Sequence, residues 1–399
     1  MSSTRTQMAA SVAVLVSLVC AALASGAAAI RVDLTRLHAG PGVTASQFVR
    51  DALRRDMLRH NARQLAASDG TVSAPTRRDP SKWEYLMTLA IGTPPLSYPA
   101  IADTGSDLIW THSPSKCEYN YTYGKGWTSG FAASETFTFG SSPADQTSVP
   151  NITFGCSNAS SSVDDWSGSA GLVGLGRGSL SMVSQLGAGR FSYCLTPFDD
   201  INSTSTLLLG PSAALNDTGV SSTPFVPNPD MAQYASFYYL NLTGISLGTN
   251  LLSIPPDTFS IMSDGTGGFI IDSGTTFTYL PDVAYQQIRA AVLSLVTLPT
   301  ADVSGSGFDL CFALPSATTA PPDMPSMTLH FDGADMELPV ENYMITDTDN
   351  GLWCLMMHNT TLGNGLPSIL GNYHQQNMHF LYDIGQEILS FAPAKCSTL

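Results

Sequence analysis

Two short stretches of this chain repeat each other's chemistry, and they constrain its fold more than anything else in it. Ile101-Ala102-Asp103-Thr104-Gly105-Ser106 is echoed by Ile270-Ile271-Asp272-Ser273-Gly274-Thr275. Leu108-Ile109-Trp110 follows the first and Phe277-Thr278-Tyr279-Leu280 the second. Each apolar run reads as a buried strand, and the Gly lets the chain turn tightly just past the Asp. A carboxylate is thereby set at the end of a buried strand, which is costly unless hydrogen bonds or a partner satisfy it. The hydroxyls of Thr104, Ser106, Ser273 and Thr275 stand ready for that task. A lone D-T-G or D-S-G is an ordinary turn. Here the match runs from the apolar residues before each Asp to the aromatic residues after it, so two carboxylates are expected to share one site.

The rest of the composition agrees with a β-rich fold. A chain of 399 residues has room for two or three domains. Hydrophobic residues make up 43% and charged residues only 12%, which excludes a disordered chain. Its 34 Gly and 25 Pro favour strands and turns. A formal net charge of −15 argues against nucleic acid as a partner. That charge is uneven: residues 30–80 hold nine Arg and five Asp, whereas 81–399 hold seven basic and 27 acidic residues. A basic segment ahead of an acidic body suggests an electrostatic clamp that acid would loosen.

Taken in order, residues 1–29 read as a secretory signal: Arg5, an apolar run over 8–24, and small residues at Ala22-Leu23-Ala24 or Ala27-Ala28-Ala29 for cleavage. The run is long enough for an uncleaved anchor to be the alternative. No later stretch could span a membrane, and the polar C-terminus shows no lipid-anchor signal. Residues 48–58 carry a helical pattern, with Val49, Leu53 and Met57 on one face and Arg50, Arg54 and Arg55 on others. It is either a solvated surface helix or part of a removable basic segment, with a processing site in the polar loop 68–82. Residues 85–91 read as a strand, and Tyr119–Gly130, with alternating aromatics around two glycines, as a β-hairpin. Gly171-Leu172-Val173-Gly174 and Ser368-Ile369-Leu370-Gly371 form a second repeated pair. The likeliest helical stretches are 178–187 and 282–296, and 211–230 connects the two halves.

These residues resemble the pepsin-like aspartic proteases, and Trp83-Glu84-Tyr85-Leu86-Met87 with the cysteine-bearing segments is similar to their plant nepenthesin-like branch. The resemblance spans roughly residues 83–399 and implies an all-β, bilobal fold: two pseudo-symmetric β lobes with a cleft between them. It implies a signal peptide at 1–29, a basic pro-segment at 30–80, an N-terminal lobe at 81–215 and a C-terminal lobe at 216–399. Asp103 and Asp272 become the catalytic pair, supported by Thr104, Gly105, Ser106, Ser273, Gly274 and Thr275. Tyr123 and Gly124 become the flap that closes over substrate. Lys125 and Trp127 depart from the usual flap, and only the twelve residues Thr111–Thr122 join the first Asp strand to the flap tyrosine, far fewer than the family has.

Beyond Cys20 in the signal, six cysteines remain: Cys117, Cys156, Cys194, Cys311, Cys354 and Cys396. An even number behind a signal implies disulfides whose connectivity sequence alone leaves open. The resemblance implies Cys311–Cys354; Cys194 with Cys396 is compatible with it and leaves Cys117 with Cys156. Sequons at Asn151, Asn158, Asn202, Asn216, Asn241 and Asn359 are candidate glycosylation sites, while the one at Asn120 falls in a flap strand.

Two carboxylates held close cannot both ionise easily, so they share a proton and titrate as a pair. One takes a proton from a water between them and the other donates to the peptide carbonyl. That chemistry needs no covalent intermediate and no cofactor. The chain has no H-E-x-x-H, no G-x-S-x-G and no Cys/His spacing suited to zinc, so no metal is expected. The implied protein is a monomeric, secreted, acid-active endopeptidase acting on protein or peptide substrates, in the cell wall, outside the cell or in the vacuole. It would have no stable membrane association. The competing reading is a catalytically impaired homologue that binds or inhibits another protein, suggested by the altered flap and the short segment before it.

Overall fold

The computed structural model describes residues 29–36, 85–112, 118–123, 126–140, 146–160, 169–200, 202–231, 234–304, 306–316, 320–360 and 366–399, with residues 46, 49, 50, 52, 53 and 56 of a helical segment. The leader up to residue 28 and the loop 68–82 lie outside these residues.

Each lobe is built around a strand that leads into an Asp. In the first, Leu96–Asp103 runs antiparallel to Tyr85–Ile91 and parallel to Gly171–Gly174, with Asp103 opposite Gly174. In the second, Phe269–Ile271 runs antiparallel to Tyr238–Leu240 and parallel to Ser368–Leu370, with Ile271 opposite Leu370. Each repeated apolar-apolar-Gly element is therefore the parallel neighbour of an Asp strand. Parallel strands need both faces covered, which explains why these segments are continuous apolar runs rather than alternating ones. The architecture is the mainly β, two-lobed one that the sequence implies.

A shared sheet joins the lobes. Its strands are Ile30–Arg36, Ser205–Leu209, Arg190–Cys194, Met378–Asp383, Ile388–Pro393 and Ser221–Val226, each antiparallel to the next. Phe191, Phe380, Tyr382, Leu389 and Phe391 are buried on it, and the rings of Phe191 and Tyr382 stack at 4.4 Å. Burying a large side chain of this kind contributes roughly 1.5–3 kcal/mol, so this sheet is a principal source of cohesion between the lobes.

The first strand of that sheet comes from residues 30–80, the stretch that the resemblance implies is a basic pro-segment, and it packs as part of the fold. Ile30, Val32 and Leu34 are buried while Arg31 is exposed. The strand pairs on one side with Ser205–Leu209 and on the other with Tyr85–Met87. Its period-two alternation was present in the sequence, but the surrounding arginines masked it. The helical residues further on also pack inward. Val49 and Ala52 are fully buried among Phe277, Tyr279, Phe308 and Met356 of the second lobe. The buried face thus runs through Val49 and Ala52, and Met57 lies outside the described residues.

Among the described residues helices are few, as expected from the Gly and Pro content. Met182–Gln185 is capped by the Ser181 hydroxyl, which accepts from Ser184 N at 3.2 Å. Asp282–Leu295 buries Ala284, Tyr285, Ile288 and Val292, one helical face, and carries Asp282 in its first turn. Glu118–Tyr123 and Gly126–Phe139 form the anticipated hairpin, with Tyr123 opposite Gly126. Two disulfides lie among the described residues. Cys194–Cys396 ties the shared sheet to the C-terminus, and Cys311–Cys354 joins directly opposed residues of paired strands. Cys156 is buried, and Cys117 lies outside the described residues.

Candidate active site

The two Asp loops meet face to face, and their own backbone and hydroxyl groups hold them there. Thr104 N donates to Ser273 Oγ at 3.1 Å, and Ser273 N donates to Thr104 Oγ1 at 2.8 Å. Ser273 Oγ in turn donates to the Ala102 carbonyl at 3.0 Å. The hydroxyl residue after each Asp therefore grips the opposite loop rather than its own carboxylate.

The carboxylates are satisfied in matching ways. Asp103 Oδ1 accepts from Gly105 N at 3.0 Å and its Oδ2 from Ser106 Oγ at 2.6 Å. Asp272 Oδ1 accepts from Gly274 N at 2.8 Å and its Oδ2 from Thr275 Oγ1 at 2.7 Å. Both side chains are buried. The closeness of the loops shows at Gly105, where an added Cβ would lie 2.6 Å from Asp272 Oδ2. Only glycine leaves room there for the second carboxylate. The site therefore brings together Asp103, Thr104, Gly105, Ser106, Asp272, Ser273, Gly274 and Thr275, all eight loop residues singled out from the sequence.

A further layer, not legible in the motifs, fixes the loops from behind. Leu175 N donates to the Asp103 carbonyl at 2.8 Å, and Asn372 N to the Thr275 carbonyl at 2.7 Å. Asn372 Nδ2 donates to the Ser273 carbonyl at 2.9 Å and Gln375 Nε2 to that of Leu370 at 2.8 Å. Gln375 Oε1 accepts from the Tyr193 hydroxyl at 2.6 Å, and Tyr193 meets the Tyr382 hydroxyl at 2.8 Å. These residues follow the apolar-apolar-Gly elements or lie on the shared sheet, so only the fold delivers them to the site.

At the fifth position the loops part. Asp107 follows Ser106, whereas Thr276 follows Thr275. The Asp107 carboxylate accepts from the Ser236 hydroxyl and, at 2.8 Å, from Gly178 N. Burial raises its pKa above the ordinary carboxylate value, and those two hydrogen bonds oppose the rise. Thr276 N and Phe277 N instead donate to the carboxylate of Asp56, at 3.2 and 2.9 Å, and the Tyr279 hydroxyl joins them at 3.2 Å. Asp56 belongs to the basic N-terminal segment, yet the described side chain that reaches the wall beside Asp272 is acidic. Earlier in the same segment, Ser46 N and its hydroxyl donate to Asp347.

The flap is only partly described. Tyr123 has its backbone in the hairpin, but its side chain and the whole of Gly124 and Lys125 lie outside the described residues. Tyr121, one pleat earlier, is half-buried against Leu86, Ile101, Leu108, Trp110 and Leu172. Burial and then the Asp107 charge push its phenol up to about 12. Trp127, on the opposing strand, is exposed. Of the sequons, Asn151, Asn158, Asn202, Asn216 and Asn241 are exposed, while Asn359 is half-buried and donates to Asp282 at 2.9 Å. Among the described residues, no group of three or more His, Cys, Asp or Glu is arranged to hold a metal ion. No helix among them is long and apolar enough to cross a membrane.

Two family models match the chain: xylanase inhibitor N-terminal over residues 111–211 and xylanase inhibitor C-terminal over residues 237–393. Among characterised relatives, aspartic proteinase nepenthesin-1 of Nepenthes gracilis is 39% identical, with 92% of this chain and 90% of the relative covered. Aspartic proteinase nepenthesin-2 of the same plant is 37% identical with the same coverage. Among solved structures, edgp is similar with a TM-score of 0.68 at 18% identity, covering 94% of this chain and 96% of that one. Basic 7S globulin from soybean follows with a TM-score of 0.64 at 18% identity, over 81% of this chain and 97% of that one. At that identity the two structures speak for the fold alone.

Proposed function

We propose a mechanism on the premise that the chain belongs to the pepsin-like aspartic proteases, in the nepenthesin branch, and is an aspartic-type endopeptidase. Asp103 and Asp272 hold one water and one proton between them. The ionised carboxylate takes a proton from the water, which attacks the peptide carbonyl carbon. The protonated partner donates to the carbonyl oxygen as it becomes tetrahedral. Collapse of that intermediate returns a proton to the departing amine and frees the two fragments. Sharing one proton requires acid, so the enzyme works at acidic pH. The observation that carries this reading is the reciprocal bonding of Thr104 and Ser273, which presses the Asp272 carboxylate against Gly105 of the opposite loop.

Residues 1–29 route the chain into the secretory pathway, an oxidising compartment suited to the disulfides Cys194–Cys396 and Cys311–Cys354. The exposed sequons, from Asn151 to Asn241, are glycosylated on the way. Residues 30–80 act as a pro-segment, with Tyr123 and Gly124 in the flap over the substrate peptide. Both carboxylates come from one chain, so the monomer is sufficient. The test is cleavage of a denatured protein by the secreted, acid-treated chain, from strongly acidic to neutral pH, with and without pepstatin. Asp103→Asn and Asp272→Asn are each expected to lower kcat at least about 1,000-fold, as loss of a general acid–base group does. Full activity in either variant would sink the assignment. A folded, processed chain that cuts nothing would favour a binding role on the same fold.

A further inference from the structure

The fifth loop position carries a role that the duplicated motif does not account for. Asp107 is largely buried, and its carboxylate spans two elements: Gly178 of the first lobe and Ser236 of the segment leading into the second. The fit is tight, since a Cβ on Gly178 would lie 2.1 Å from Asp107 Oδ2. Two more bonds fasten the same segment to the first lobe. Arg177 N donates to the Ser236 carbonyl at 3.1 Å, and the Tyr238 hydroxyl to the Leu175 carbonyl at 2.8 Å. Tyr238 stands directly opposite Ile271, the residue before Asp272. A short path therefore leads from the first Asp loop through Asp107, Ser236 and Tyr238 to the strand that bears the second Asp. In the second loop Thr276 Oγ1 is buried and, among the described residues, makes no hydrogen bond; that loop is held instead through Thr276 N and Phe277 N at Asp56.

We propose that Asp107 is a positioning residue for peptide cleavage, fastening the first Asp loop to residues 236–238 and so setting where Asp103 stands relative to Asp272. This rests on the reading of those two carboxylates as the catalytic pair. The Thr104–Ser273 grip fixes the loops at their tips, and the Asp107–Ser236 bond braces them from the side. With the tips gripped but the brace gone, the loops can rock about the grip. Such motion misplaces the attacking water while leaving the substrate-binding walls intact, so the loss falls on kcat rather than KM.

The experiment compares the processed parent enzyme with Asp107→Ala, Asp107→Asn, Ser236→Ala and the double alanine variant. A peptide substrate is used, and active sites are counted by pepstatin titration. Asp107→Ala is expected to lower kcat about 100-fold, the scale of a 1 Å misplacement, with little change in KM. Ser236→Ala lowers it less, and the double variant is no worse than Asp107→Ala, because both remove one interaction. Asp107→Asn recovers most of kcat: its amide oxygen accepts from Gly178 N, and its amide nitrogen donates to a reoriented Ser236 hydroxyl. Asp107→Ala with parental kcat per titrated site, or an Asn variant as poor as Ala, would overturn the proposal. If Asp107→Ala does not fold, an unchanged kcat in Ser236→Ala overturns it instead. A parent enzyme that neither cuts peptide nor binds pepstatin removes the catalytic pair itself and this proposal with it. An active parent with an indifferent Asp107→Ala removes only the latter.

Discussion

The first and second Asp loops are alike for four residues and unlike at the fifth. From Asp103 to Ser106 and from Asp272 to Thr275 the loop's own hydrogen bonds to its carboxylate match one for one, within 0.2 Å in length. At Asp107 the first loop turns to the segment between the lobes, while at Thr276 the second turns to Asp56 of the N-terminal segment. Duplication has kept what holds a buried carboxylate in place, because any failure there leaves a charge unsatisfied. It has not kept what couples each loop to the rest of the molecule. One loop is tied to a permanent part of the fold, and the other to a segment that the proposed function removes.

The sharpest way to break the symmetry is to crowd one loop from the other. Gly105→Ala places a methyl group 2.6 Å from Asp272 Oδ2, so the damage should appear at the carboxylate of the opposite loop. A loss of kcat of about 100-fold or more is expected, with the chain still folded by circular dichroism. Near-parental kcat would mean that the loops stand further apart in solution.

A smaller effect distinguishes the two couplings. Asp56→Asn weakens the hydrogen bonds that Thr276 N, Phe277 N and the Tyr279 hydroxyl donate to a buried carboxylate. It should cost the full-length chain on the order of 2 kcal/mol in urea unfolding, the scale of hydrogen bonds to a charged group. The uncut variant should also begin cleaving peptide sooner after acidification. After processing, parent and variant should be indistinguishable. If they still differ then, Asp56 serves the mature enzyme and the pro-segment reading of that residue fails.

The smallest effect concerns how the two lobes respond to acid. Asp107, in the first, holds its proton above the ordinary carboxylate range because it is buried. Its contribution to stability is therefore full at low pH and is lost as pH rises through its folded pKa. His374 and His358, in the second, are pushed down to about 3 and about 4 by burial. They bind protons in the unfolded chain before they do in the folded one, so stability falls as pH drops below about 6.5. Neither ring nitrogen of His374 makes a hydrogen bond. His374→Leu should therefore raise the unfolding free energy more at about pH 4.5 than at neutral pH, by a margin on the order of 1 to 2 kcal/mol. A gain that does not change with pH would show that His374 is not titrating on unfolding.

The eight loop residues around Asp103 and Asp272 could be read without a structure because each carboxylate is satisfied by groups two and three residues away. Helix Asp282–Leu295 could be read for a similar reason, since its buried face follows from spacing alone. Ile30–Arg36 shows the limit of such reading. Its alternation was visible, but nothing local says that it pairs with Ser205–Leu209, some 175 residues away. Composition even pointed the other way, because Arg31 and Arg36 belong to a basic stretch. Val49 lies on the apolar face that spacing alone gives, but the burial of Ala52 beside it and the reach of Asp56 to Thr276 and Phe277 could not be read from a segment that is basic overall.

By itself the sequence determined that this chain would bury two carboxylates at strand ends in a mainly β fold, while the two-lobed arrangement came from the resemblance those residues carry. The former is a matter of local pattern, in which residue type and spacing decide the outcome. Only the tertiary structure decided that Thr104 and Ser273 grip across the site, that Asp107 reaches Ser236, and that Asp56 caps Thr276 and Phe277. Each joins residues more than a hundred positions apart. A buried hydrogen bond of that kind is specified by where the backbone carries its donor and acceptor, which is a property of the packed lobes and not of any stretch of chain.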